Sequence, residues 1–142
     1  MAKEKYLIII NEEIKLYSEI YSINLILYEN LKKFDLDTFK SELNKKDKLI
    51  NKIQDFDKDL SELWQNWGQY KNIFSEKDKE KIKELKTIME KNFEIENLII
   101  NEFKILLNKE KQKNFHIQQG KKAFHAYKSK KITLPYFVNE KG

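Results

Sequence analysis

Positions 36, 39, 43, 46, 50, 53, 57, 60, 64 and 67 carry Leu, Phe, Leu, Lys, Ile, Ile, Asp, Leu, Trp and Trp, steps of three and four in unbroken alternation. A strand would scatter these side chains over both faces, whereas a helix gathers them into one seam of the coiled-coil kind. Eight of the ten are apolar. Leu49, Phe56, Leu63 and Tyr70 recur at intervals of seven and widen the same face. This segment therefore predicts a long helix with a broad buried stripe.

The flanking segments repeat the theme. From about residue 4 to 33, one stripe runs through Ile10, Ile14, Tyr17, Tyr21, Tyr28 and Leu31, with Asn24 at the only gap, and another through Leu16, Ile20, Ile23, Leu27 and Phe34. A face of that width is expected of a helix packed against two others. A third segment starts near Glu76 and passes through Ile82, Leu85, Met89, Phe93, Ile95, Ile99, Phe103 and Leu106 before fading near residue 108. Asp35 is placed to cap the second helix, and Ser75 with Asp78 forms a short-armed capping box for the third. Gly68 to Phe74 is the expected turn between them.

Short connections make successive helices antiparallel neighbours. The predicted fold is all-α: an elongated antiparallel up-down-up bundle of three long helices with coiled-coil-like packing over residues 1–119. Residues 120–142 are expected as a basic, aromatic C-terminal tail, partly helical or disordered, with any helix continued past Gly120 ended by Pro135.

Composition narrows the class. The 142 residues suit one domain, and 36% charged residues with one proline and three glycines describe long helices with few loops. Without cysteine there is no disulfide framework and no thiolate zinc site. Leu7 to Ile10 is too short for a signal core, and no stretch reaches the roughly 18 apolar residues of a membrane helix. The expected location is the cytoplasm.

Charge is unevenly spread. The net charge of +5 arises after residue 119, where six lysines face only Glu140. Every basic residue is lysine, and arginine is the better reader of phosphate and base edges. Binding of single-stranded nucleic acid by the basic, aromatic tail is thus the weakest of the readings entertained.

No catalytic constellation emerges. His116 and His125 are nine residues apart, which fits no standard zinc spacing, and there is no phosphate-binding glycine loop or nucleophile elbow. Glu12, Glu13, Asp55, Asp57 and Asp59 stand among lysines and are expected on solvent-facing or seam-edge positions. Asn24, Lys46, Asp57 and Asn92 interrupt the seams, where polar residues fix register at a cost in stability. Trp64 and Trp67 read first as core and second as an interface anchor. No enzyme activity, metal or cofactor is expected.

The layout as a whole resembles a known family. FDLDTFKSELNKKDKLINKI, KNFEIENLIINEF and GKKAFHAYKSKK, in that order along the chain, resemble the flagellar export chaperones of the FlgN and FliT type, with FlgN favoured. The resemblance implies a small cytoplasmic, non-enzymatic helical protein that binds late type III export substrates, the hook-filament junction or filament-cap proteins. It also implies a role for the C-terminal region in client binding or at the export gate, carried here by Phe124, Tyr127, Leu134, Tyr136 and Phe137. A self-associating structural coiled coil, as a homodimer, is the rival reading.

Overall fold

A computed structural model describes residues 2–109 and 114–129. Among them there is no strand. Five helices follow in order: α1 (Ala2–Lys32), α2 (Leu36–Gln65), the short α3 (Trp67–Tyr70), α4 (Glu76–Lys109) and α5 (Asn114–Ser129). A 3-10 turn, Lys71–Ile73, links α3 to α4.

The first break is built from backbone bonds. Phe34 adopts a left-handed conformation, φ 56°, which is strained for a bulky side chain. Its N–H donates to the Leu31 carbonyl at 3.1 Å, while the Asp35 N–H reaches the Asn30 carbonyl at 2.8 Å. Together they close α1 in the double-bonded terminal motif usually assigned to glycine. Asp35 then starts α2, its Oδ1 accepting from the Thr38 N–H at 3.2 Å. One aspartate ends one helix and begins the next.

The second break differs from the expected plain turn. Trp67–Tyr70 continues as a single helical turn before the 3-10 turn, because Gln69 and Tyr70 both donate backbone N–H groups to the Asn66 carbonyl. Gly68 lies inside this turn, and a Cβ there would meet open space. The Ser75 capping box forms as read: Ser75 N–H donates to Asp78 Oδ2 at 3.0 Å, and Asp78 N–H donates to Ser75 Oγ at 3.1 Å.

Helix α1 is the common partner, lying along both α2 and α4, while α5 packs across α4 and α2. Apolar side chains separate into two clusters. The first joins Tyr6 to Ile20 of α1 with Ile53, Leu60 and Leu63 of α2, Phe74, and Ile82 to Met89 of α4. Trp64, Trp67 and Tyr70 pack against it half-buried, with Trp67 stacked on Phe74 at 5.8 Å between ring centres. The second joins Leu27 and Leu31 with Leu36, Phe39 and Leu43, Ile95 to Phe103, and Ala123 and Tyr127 of α5. A fourth helix thus enters the core beyond the three long ones, and it spans residue 119, where the bundle was expected to give way to a tail.

The buried rows run in strict alternation of three and four. In α1 the row is Tyr6, Ile10, Glu13, Tyr17, Ile20, Asn24, Leu27 and Leu31; in α4 it is Ile82, Leu85, Met89, Asn92, Glu96, Ile99 and Phe103. Ile14, Tyr21 and Tyr28, read as the leading stripe of α1, are only half-buried.

Leu60 is fully enclosed in the first cluster. Leu60→Ala should cost about 2–5 kcal/mol, through lost transfer energy plus the cavity left behind. In urea unfolding followed by circular dichroism, the midpoint should fall while the slope stays unchanged.

Candidate functional site

Six polar residues inside the bundle pair across helices, whereas the buried Asn30 of α1 leaves its Nδ2 without a hydrogen-bond partner. Asn24 of α1 accepts nothing at Oδ1, but its Nδ2 donates to Asn92 Oδ1 of α4 at 2.9 Å. The Asn92 amide in turn donates to the Tyr17 carbonyl at 2.9 Å and to the Ile88 carbonyl at 3.1 Å. Glu13 of α1 meets Asp57 of α2 carboxyl to carboxyl. Lys46 of α2 donates to Glu96 Oε1 of α4 at 2.6 Å, and both side chains are fully enclosed. Each pairing of α1, α2 and α4 therefore contains at least one buried polar contact.

Lys46 is also the seat of α5. Its ammonium lies 3.5 Å from the Tyr127 hydroxyl and 4.6 Å from the centre of the Tyr127 ring. The aromatic face gives the cation a second favourable surface. Burial lowers the Lys46 pKa and Glu96 pulls it back up, whereas burial and the Glu96 charge both raise that of the Tyr127 hydroxyl. Tyr127 consequently stays a neutral phenol beside the ion pair.

An aromatic box surrounds the cluster. Phe39 and Phe103 meet edge to face at 5.4 Å, and Tyr127 lies 6.2 Å from Phe39 and 6.1 Å from Phe103. Phe124 stacks on Phe103 at 5.0 Å, with Lys128 over its outer face at 4.5 Å. At Gly120 the two helices approach closely enough that a Cβ would lie 3.1 Å from Leu107 Cδ2. The glycine of GKKAFHAY thus sets the depth at which α5 sits.

Of the residues predicted to meet a partner, Phe124 and Tyr127 are brought together on the inner face of α5. Tyr127 is fully buried and Phe124 half-buried, so in this conformation they bind the chain's own core. Leu134, Tyr136 and Phe137 lie outside the described residues. His125 is exposed, and among the described residues no three metal-ligating side chains converge.

Two charged residues were misplaced or missed by reading the sequence. Glu13 was expected at a solvent-facing or seam-edge position and is 1% exposed; Glu96 drew no notice and is 0% exposed. Both occupy seam positions, Glu13 three residues after Ile10 and four before Tyr17, Glu96 four after Asn92 and three before Ile99. Spacing alone pointed inward, but ionisable type suggested solvent. No known protein family, curated protein or solved structure matches this chain.

The geometry of the ion pair predicts an asymmetric mutational pattern. Lys46→Met alone strands a buried carboxylate and should cost about 3–5 kcal/mol. Combining it with Glu96→Leu should recover most of that loss, because an apolar pair needs no desolvation of charge. Denaturant melts of the two single variants and the double variant measure the coupling directly.

Proposed function

We propose that this chain is a cytoplasmic, non-enzymatic chaperone that binds late flagellar type III export substrates, the junction or cap proteins, by packing a client helix in a groove. The observation that carries this reading is that the protein already holds one amphipathic helix in that manner. Helix α5, which contains the family-like GKKAFHAY segment, lies across α2 and α4 with Ala123 and Tyr127 buried and Phe124 stacked on Phe103. Helix-in-groove recognition uses spaced apolar anchors of this kind.

In this reading α1, α2 and α4 run up, down and up as a coiled-coil-like frame. The basic strip from Gly120 onward fills the groove when it is empty or clamps a client when it is full, and its lysines steer acidic surfaces of the client or the export gate. An export client must remain partly unfolded, so covering its apolar helix prevents aggregation.

Pull-down with purified junction and cap proteins tests the proposal. Full-length protein should retain one of them, and Phe124→Ala should weaken retention while leaving the helical circular dichroism intact. Retention of neither protein would sink it. The rival, self-association as a structural coiled coil, is favoured by the apolar side chains left on the surface: Ile8, Leu25, Ile26, Leu98 and Ile105. Light scattering separates the two, since a stable dimer indifferent to client peptide supports only the rival.

A further inference from the structure

The Glu13 and Asp57 side chains join α1 to α2 within the first apolar cluster. Their carboxyl groups lie within hydrogen-bonding reach of one another. Glu13 is 1% exposed, Asp57 is half-buried, and Glu13 Oε2 has no hydrogen-bond partner. Among the described residues, no lysine ammonium makes an ion pair with either. Two ionised carboxylates without a cation cannot occupy such a place, because each repels the other and burial penalises both. One proton between them converts the repulsion into an O–H···O⁻ hydrogen bond, among the shorter and stronger kinds.

We propose that the Glu13–Asp57 pair is a proton-binding joint between α1 and α2, holding the seam closed with one shared proton and loosening it when that proton leaves. Glu13, the more deeply enclosed, carries the proton, and Asp57, nearer to solvent, accepts the hydrogen bond. Burial first, and then the hydrogen bond to and charge of Asp57, push the Glu13 carboxyl up to about 10. Burial also raises Asp57, while the hydrogen bond from Glu13 opposes that rise.

The direction of the pH effect follows. In the unfolded chain a glutamate has released its proton above about pH 4.3. From there up to about pH 10 the folded chain holds one proton more than the unfolded chain, so stability falls as pH rises and levels off beyond. Below the unfolded value the full stabilisation is present.

Other groups face the pair. From α1, Tyr17 is pushed upward by burial and by the charges of Asp57, Glu13 and Glu96, so it stays neutral through this window. From α4, Glu96 reaches it through Tyr17, and from α2 Lys46 neutralises Glu96. Lys46 has the opposite sign: its lowered pKa means the folded chain holds fewer protons above that value, so this contribution grows with pH. Glu13→Gln separates the two, since the amide still donates to Asp57 but no longer titrates.

The test combines urea unfolding from pH 5 to 9 with side-chain carboxyl carbon NMR of the unmodified protein. The folding constant of the native protein should fall with pH, approaching tenfold per unit, the limit for one proton. Glu13→Gln should remove that fall, and the Glu13 carboxyl carbon should report a protonated group at pH 7. An ionised Glu13 at pH 7, which requires no variant to fold, would overturn the proposal. So would equal pH slopes in the two proteins.

Discussion

The contact between Lys46 and Glu96 places two full charges where neither touches water. Removing such ions from solvent costs several kcal/mol each, so their 2.6 Å contact is tolerable only while both helices hold station. Among the three long helices, α2 and α4 are the pair least closely packed backbone to backbone, and the long lysine and glutamate side chains bridge them beneath Tyr127. The ion pair adds little net stability compared with a hydrophobic replacement. Its effect is to make other arrangements worse.

That effect extends to all three seams. An apolar row repeating every seven residues looks nearly the same after a slip of seven, so hydrophobicity alone leaves register open. The polar residues remove the degeneracy. Slip α2 against α4 by a heptad and Lys46 faces Met89 or Phe103; slip α1 against α4 and Asn92 faces Tyr17 or Leu31; slip α1 against α2 and Asp57 faces Tyr6 or Ile20. Each slip buries a polar group without a partner, at a cost of about 1–3 kcal/mol or more for a charge. Three pairs, one for each combination of long helices, specify the alignment of the frame.

The sequence carried most of this, and where it did not the cause is specific. Helix ends at Asp35 and Ser75 were legible because capping is local chemistry. Lys46, Asp57, Asn24 and Asn92 were legible as polar interruptions of apolar rows. Their partners Glu13 and Glu96 were not recognised, because an ionisable side chain reads as surface when the row is drawn through apolar residues only. In α1 that choice shifted the row onto Ile14, Tyr21 and Tyr28, one step off the buried line. Pairing itself was out of reach, since spacing fixes which face a residue occupies and not which residue of another helix lies opposite. The left-handed Phe34 was also illegible: position-specific backbone bonds, not its side chain, make that turn.

The two ends of the bundle are sealed differently, and the difference follows from chain connectivity. The first cluster is closed by α3 and the 3-10 turn, covalently continuous with α2 and α4 and packed through Trp67 and Phe74. The second is closed by α5, whose described buried side chains are few: Ala123 and Tyr127, with Phe124 alongside. Among the described residues, α5 is held by fewer buried side chains than any of the long helices. Those side chains lie against Phe39, Phe103 and the Lys46–Glu96 pair together, and both charges are fully enclosed. The dryness of the ion pair and the seating of α5 are therefore one condition, met by the aromatic ring that Tyr127 lays over the Lys46 ammonium.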